Sequence, residues 1–187
     1  LRTIPEGLFR GLDKAFEFAS TFEDSALESV PVGLFADARD YSSADFSYML
    51  AGCSNLKTVP AGLFDKFTTV TSPGFRYCFT GSGIESIPAG LFAKNVKVST
   101  GFENVFYRCA NLKTIEGPIF PESSSVSSMK YAFAGCTALE ALPAGLFDSI
   151  ATSKTNFTGT FALCQSLQTL PAGLFAKNTL ATNFTST

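Results

Sequence analysis

Apolar and polar residues follow one nine-residue pattern that occurs seven times along this chain. The pattern is Leu-x-x-(Ile/Val/Leu)-Pro-x-Gly-Leu-Phe, and Leu139 to Phe147 is one copy of it. Its Pro-x-Gly turns follow Ile4, Val30, Val59, Ile87, Ile115, Leu142 and Leu170, at spacings of 26, 29, 28, 28, 27 and 28 residues. A period near 28 residues over seven copies predicts a solenoid in which each copy forms one coil.

Each copy predicts one strand and one short helix. The Leu-x-x-Ile stretch, as in Leu112 to Ile115, favours a parallel strand that the following Pro and Gly end in a turn. Upstream, Phe-x-x-x-Phe-x-Gly-Cys places apolar residues on one helical face, with Asn156 as an N-cap in one copy. The Ser-, Thr-, Lys- and Asn-rich remainder predicts an outer loop. The expected fold is an α/β solenoid: a right-handed superhelix of about seven coils, with short parallel β-strands on one face and short helices or turns on the other.

The phenylalanines support one continuous core. The chain has 20 Phe, and only Phe16 and Phe67 fall outside three columns of the repeat. An aromatic cluster can also form a ligand site, but regular recurrence favours core packing. One copy departs from the pattern, because Ile115 to Phe120 reads Ile-Glu-Gly-Pro-Ile-Phe. The displaced Pro and Gly predict a local bulge or an altered loop there.

The repeat also predicts one domain over residues 1–187, with copies starting near 1, 27, 56, 84, 112, 139 and 167. The chain opens at Leu1, without a Met and inside a repeat, so we expect a fragment of a longer protein. The formal charge of −2, from 14 basic and 16 acidic residues, argues against nucleic-acid binding. No apolar run approaches the roughly 20 residues of a membrane-spanning helix.

Candidate catalytic chemistry is sparse. The chain contains no His, which excludes Ser-His-Asp and Cys-His catalysis and His-containing metal sites. Four of its five Cys occupy one repeat position, namely Cys53, Cys109, Cys136 and Cys164, while Cys78 stands apart. Cysteines in one column run in a line and do not converge on a metal, so they predict buried free thiols. We expect neither an enzyme nor a bound cofactor.

One column alternates in charge from coil to coil. The residue after the first Leu of each copy (or after Ile84, which replaces it) reads Arg2, Glu28, Lys57, Glu85, Lys113, Glu140 and Gln168. Neighbouring parallel strands lie about 4.8 Å apart, so each charge is expected to stand between two opposite ones. This pattern predicts a charge ladder that helps to hold strand register, since like charges in that position are unfavourable. The alternative is a solvated face whose signs alternate by chance.

A second column carries three tyrosines. Tyr48, Tyr77 and Tyr131 each lie two positions after the first aromatic or Met of the predicted helix. They form a candidate interaction stripe, because Tyr is enriched at binding hot spots. Alternatively, the three rings pack at the edge of the core and only their hydroxyls reach water, and this is the preferred interpretation.

The repeat resembles a known class. Asn55 to Phe64 is similar to the Asn-x-Leu-x-x-Ile-Pro-x-Gly-x-Phe segment of extracellular leucine-rich repeats. Ala132 to Leu139, with Met129 upstream, resembles the BspA-like leucine-rich repeats of bacterial surface proteins. The resemblance covers nearly the whole chain and implies a curved solenoid, export, cell-surface attachment and, for some members, binding to host extracellular proteins or cells. It implies no catalytic or cofactor residues.

Two functions are compatible with these observations. The leading one is a non-catalytic, surface-exposed protein-interaction or adhesion module of a bacterial cell-surface or secreted protein, with a protein or glycan ligand. The alternative is a passive structural spacer or assembly module within a larger cell-surface protein. A binder predicts one face enriched in aromatic and unpaired polar groups, whereas a spacer predicts a uniform polar surface.

Overall fold

The computed structural model describes residues 1–12, 17–38, 44–70, 72–98, 101–122, 125–150 and 154–187. Successive repeats stack on one another through backbone hydrogen bonds that join residues about one repeat apart. Glu85 N, for example, donates to Lys57 O at 2.7 Å, and Lys113 N donates to Glu85 O at 2.9 Å. Because each coil uses its neighbour's backbone groups as partners, the chain forms the predicted repeat solenoid. No helix in this described part is long and apolar enough to cross a membrane.

Four two-residue strands form two parallel ladders. The strands are β1 (Thr69–Val70), β2 (Ser86–Ile87), β3 (Lys97–Val98) and β4 (Thr114–Ile115). Strands β2 and β4 pair in parallel within the predicted Leu-x-x-Ile stretch, with Ile87 opposite Ile115. Strands β1 and β3 also pair in parallel, with Val70 opposite Val98. This second ladder runs through the polar stretch that the sequence assigned to an outer loop, and its inward Val residues explain why a strand forms there.

The predicted short helix is instead a ribbon of consecutive turns, which we call the turn ribbon: the Phe-x-x-x-Phe-x-Gly-Cys segment of each coil. Among the described residues, the helical structure is a 3-10 helix at Asp148–Ile150. In the turn ribbon, every second N–H donates to the next coil, as Tyr48 N does to Arg76 O. The intervening N–H groups close local turns, as Met49 N does onto Phe46 O. Stacking partners thus take half of the donors that an α-helix would use internally.

Asn156, which was predicted to cap a helix, makes capping contacts at the start of the turn ribbon instead. Its Oδ1 accepts hydrogen bonds from Thr158 N at 2.9 Å and from Thr158 Oγ1 at 2.7 Å. Asn183 makes the same pair of contacts with Thr185 one coil later. A side chain that bonds the backbone two residues on is an Asx-turn, which starts the turn ribbon as it would start a helix.

Stacked Phe columns fill the interior, as predicted. Phe46 and Phe75 lie 5.4 Å apart between ring centroids and 10° from parallel. Phe106 and Phe133 repeat this geometry in the second column, at 5.4 Å and 17°. Phe67 lies outside the columns but is fully buried too, packing edge-on against Phe46 at 4.9 Å. The aromatic residues of the columns therefore form a packed core.

The prediction of free, buried thiols is also confirmed. All five Cys are unpaired, and only Cys164 is partly exposed. The four column thiols each donate to a carbonyl of the preceding coil, as Cys109 Sγ does to Phe79 O at 3.0 Å. Burial raises the pKa of Cys109 to about 12 and that of Cys164 to about 11. Ser25 and Ser82 fill the column in the two coils that lack Cys, and Ser82 Oγ lies 3.5 Å from Cys109 Sγ.

The altered turn of the fifth copy is confirmed. In copies one, two, three and seven the Leu N–H of the Pro-x-Gly-Leu turn donates to the Pro carbonyl, as Leu63 N does to Pro60 O at 3.3 Å. In the fifth copy, the Pro118 carbonyl instead accepts from Gly90 N of the preceding coil at 2.9 Å. The displaced Pro thus exchanges a local turn for a contact between coils.

Candidate functional site

The Tyr column lies at backbone positions that side chains rarely occupy. Tyr48, Tyr77 and Tyr131 have φ values of 56°, 59° and 54°, in the left-handed region. Residues of the same column elsewhere are Ser20, Asn104, Gly159 and Ser186, all with positive φ. The φ of this column is therefore positive in all seven coils, as a recurring feature of the turn ribbon. Bulky residues with positive φ are uncommon and often mark functional sites.

The three tyrosines do not form one continuous stripe. The Tyr77 ring stacks on Tyr48 of the preceding coil, with centroids 4.7 Å apart and planes 9° from parallel. The Tyr131 ring packs in the opposite direction, against Gly159 of the following coil, where a Cβ atom would clash with it. The intervening coil carries Asn104 in this column. Because its two Tyr neighbours pack away from it, the surface above Asn104 stays open.

This opening is a groove of about 460 Å³, within the roughly 300–1,000 Å³ of ligand sites. Its aromatic walls are Tyr77, Tyr107 and Tyr131, and Tyr131 is 41% exposed. Leu163, which is 70% exposed, lies at its edge. We call this site the Tyr groove. It combines exposed apolar surface with a few polar groups, among them Asn104 and Lys130. This composition is typical of ligand-binding sites.

Asn104 lines the groove with an amide that is free of protein hydrogen bonds within the described part of the chain. The residue is only 9% exposed, yet its side chain makes no hydrogen bond to any residue that the structure describes. Its backbone is fully used, since its N–H donates to Lys130 O and its carbonyl accepts from Thr80 Oγ1 at 2.7 Å. The fully buried side-chain atoms without a partner in the described residues are Oδ1 of Asn95 and Oδ1 of Asn178, and not the Asn104 amide. The Asn104 amide therefore reaches solvent through the groove, which makes it a candidate ligand contact.

Charged groups border the groove unevenly. Arg76 Nε lies 3.4 Å from Glu103 Oε2, and Ser128 Oγ donates to Glu103 Oε1 at 2.7 Å. Lys130 also lines the groove, but it has no ion-pair partner within the described ranges. The Arg108 guanidinium lies over the Tyr107 ring, 5.1 Å from its centroid, and it too lacks a carboxylate partner there. Among the described residues, the lining of the groove therefore has one unpaired cation, Lys130, and one ion pair, Arg76 with Glu103, while Arg108 lies beside it over Tyr107.

The sequence analysis identified Tyr77 and Tyr131 but missed the other groove residues. Arg76, Glu103 and Lys130 occupy one repeat column in three successive coils, immediately before the Tyr column. The column comparison that identified the charge ladder would have found them. Asn104 gave no such signal, because a polar residue between two Tyr positions looks like an interruption. Its importance depends on the directions in which the two rings pack.

The structure brings together some members of the predicted charge ladder. Arg2 Nη1 lies 3.7 Å from Glu28 Oε1, and Lys57 Nζ lies 2.8 Å from Glu85 Oε1. Lys113 Nζ is 3.9 Å from Glu85 Oε2. Hydrogen bonding and the positive charge of Lys57, with a further contribution from Lys113, lower the pKa of Glu85.

Elsewhere the ladder column is open. Within the described residues, neither Glu28 with Lys57 nor Lys113 with Glu140 forms an ion pair. A shallow cleft of about 250 Å³ lies between Lys113–Ile115 and Glu140–Pro143. The ion pairs occur at the same steps as the backbone bonds between column residues, so side-chain pairing and close strand approach go together.

No protein-family model matches the sequence, and no curated protein does either. Among solved structures, a leucine-rich repeat protein of Bacteroides ovatus aligns with 91% of this chain, at 16% identity and a TM-score of 0.50. This chain has the leucine-rich-repeat fold. It spans 40% of the length of the Bacteroides protein.

Two further leucine-rich-repeat structures align more distantly. The alignment with a leucine-rich cell surface protein of Faecalibacterium prausnitzii covers 84% of this chain and 31% of that protein, at 17% identity and a TM-score of 0.31. The alignment with the Toll–Spatzle complex of Drosophila covers 99% of this chain and 28% of the Drosophila chain, at 18% identity and a TM-score of 0.33. Those two scores are too low to support an argument. The Bacteroides structure agrees with the leucine-rich-repeat fold that the sequence resemblance implied.

Proposed function

We propose that this leucine-rich-repeat chain is a non-catalytic binding module that contacts its ligand through the Tyr groove. One observation carries the proposal: the amide of the largely buried Asn104 has no hydrogen-bond partner among the described residues and opens into a groove walled by tyrosines. A binder was expected to show one face with aromatic residues and unpaired polar groups together, and the Tyr groove has both. Exposed Tyr rings provide large contact areas at small entropic cost, which suits recognition of a macromolecule.

The wider setting of the proposal follows from the leucine-rich-repeat resemblance. The chain forms a single domain of about seven right-handed coils, as part of a longer bacterial surface or secreted protein. Adhesion to a protein or glycan outside the cell is the expected role. The groove lies on the turn ribbon, so the proposed contact surface is the turn ribbon and not the strand ladders.

A passive spacer remains the second candidate, and a specific observation favours it. The ladder residues Lys57 and Lys113 both contact Glu85 across coils, so each of these three charges has an opposite neighbour. A self-paired surface suits a rod that holds another domain at a distance. The two functions are compatible in one molecule, since ladder and groove occupy different columns.

The test is a binding screen of the purified chain against immobilised extracellular-matrix proteins and a glycan panel. We expect at least one ligand at micromolar concentration, with binding reduced tenfold or more by Tyr131→Ser. Serine is a matched replacement, because Ser20 and Ser186 occupy the same column with positive φ. Lys57→Gln, in the ladder, is the control and should bind like the wild type.

Two outcomes would contradict the proposal. One is the absence of any micromolar ligand, which would favour the spacer. The other is a ligand whose affinity falls with Lys57→Gln and not with Tyr131→Ser, which would move the contact surface from the groove to the ladder.

A further inference from the structure

The Tyr groove carries enough chemistry to indicate what it binds. We infer that the groove is a site for an acidic saccharide, with a sugar ring between Tyr77 and Tyr131 and its carboxylate near Lys130. The inference rests on the proposed function and deepens it by naming the ligand class. It depends on the separation of the two rings, the free amide between them, and the uneven charge around them.

The ring positions leave a space suited to a flat, partly apolar group. Tyr48 covers one face of Tyr77 on the side of the preceding coil, and Gly159 supports Tyr131 on the side of the following coil. The two rings are thus held apart over the coil of Asn104. The C–H face of a pyranose can pack against an aromatic ring, whose face is electron-rich. Sugar hydroxyls then reach the Asn104 amide, which offers both a donor and an acceptor.

The charge balance favours a negative ligand. Although the chain has a net charge of −2, the cations Lys130 and Arg108 beside the groove have no carboxylate partner in the described residues. The single groove carboxylate, Glu103, already accepts from Ser128 and pairs with Arg76. An ammonium and a guanidinium without partners are the groups that bind a carboxylate.

The backbone around the groove argues against a peptide. Extended peptides commonly bind by adding a strand to a free sheet edge. Here the N–H groups of Tyr77, Asn104 and Tyr131 all donate to carbonyls of the next coil. With this backbone already used, recognition must come from side chains. Rings, an amide and an ammonium suit a sugar that carries hydroxyls and a carboxylate.

The test compares three probes: a galacturonic acid oligomer, the galactose oligomer of equal length, and an oligoglutamate peptide. The two saccharides differ at the carboxylate, and the peptide carries charge without the ring. The chain has no Trp and five Tyr, three of which line the groove, so Tyr fluorescence reports binding directly. Isothermal titration calorimetry supplies the affinity.

We expect the galacturonate oligomer to bind with a Kd below about 1 mM, and more weakly as salt rises. Lys130→Gln should reduce this affinity about tenfold and leave the weaker binding of the galactose oligomer unchanged. Asn104→Gly should reduce the affinity for both saccharides, since Gly159 shows that this column accepts Gly. Thermal melting of each variant confirms that the fold is intact, and Lys57→Gln serves as the charge-matched control.

Three outcomes would overturn the inference. They are equal binding of both saccharides, binding of oligoglutamate alone, and binding of no probe. If Tyr131→Ser still abolishes binding of a matrix protein in the screen, the proposed function stands and only the ligand class is wrong. If neither the screen nor the probes give a groove-dependent ligand, the proposed function fails as well.

Discussion

The charge ladder and the Tyr groove are built in the same way but differ in how their side chains meet. In both, one repeat column places a side chain on each successive coil. In the ladder, Lys57 and Lys113 both approach Glu85, so each charge has an opposite neighbour. In the groove, Tyr77 and Tyr131 pack in opposite directions and leave Asn104 unpaired between them. Side chains of opposite charge that contact one another in successive coils leave no groove between them, whereas side chains that pack in opposite directions leave one.

The largest expected effect concerns what holds Tyr131 in place. Gly159→Ala adds a Cβ atom that clashes with the Tyr131 ring, at a residue with φ of 61°. We expect it to lower the free energy of unfolding by about 2–5 kcal/mol, combining left-handed strain with overpacking. Urea denaturation measures the loss.

Gly81→Ala is the matched control for this variant. Gly81 has a φ of 65°, but a Cβ atom there would meet nothing within 4 Å. Its cost should therefore stay near the 1–2 kcal/mol of left-handed strain alone. Adding Tyr131→Ser to Gly159→Ala should recover the difference. Equal losses for the two glycines would mean that the ring is not held as described.

A smaller difference in stability is expected between removing the charge of Glu103 in the Tyr groove and removing the charge of Glu85 in the ladder. Glu103, beside the groove, accepts a hydrogen bond from Ser128 and has a side chain that is 24% exposed, whereas Glu85 in the ladder is 42% exposed. Glu103→Gln should lower the free energy of unfolding by about 0.5–1.5 kcal/mol. Glu85→Gln should lower the melting temperature less, because water screens its ion pairs more effectively. Parallel thermal melts decide the order, and a larger loss for Glu85→Gln would reverse the comparison.

The smallest expected effect belongs to the ladder itself. Lys57→Glu gives three successive negative charges in the ladder column, at positions 28, 57 and 85. It should lower Tm by at most about 4 °C, because exposed ion pairs contribute little. The loss should shrink at high salt, where charges are screened. Lys97→Glu makes the same charge change at an exposed residue of β3, without an ion pair among the described residues. If both variants lose the same Tm at low and high salt, the ladder does not hold register.

Much of the fold followed from the sequence because its columns repeat. A fixed period places equivalent residues above one another, so the Phe core, the thiol column and the altered fifth turn could all be predicted. The helix could not, although Phe46 and Leu50 have the correct spacing for one. Apolar residues four apart also fit a turn ribbon, and the choice depended on hydrogen bonds to the next coil.

For the site, the sequence by itself determined which side chains share a column, and thereby the alternating charges and the Tyr positions. Only the tertiary structure decided which neighbours touch. Packing fixed Tyr77 onto Tyr48 and Tyr131 onto Gly159, and this left the amide of the largely buried Asn104 facing the groove without a protein partner in the described ranges. The physical reason is that column membership follows from the period, while side-chain direction depends on the size and backbone conformation of the residues in the adjoining coils.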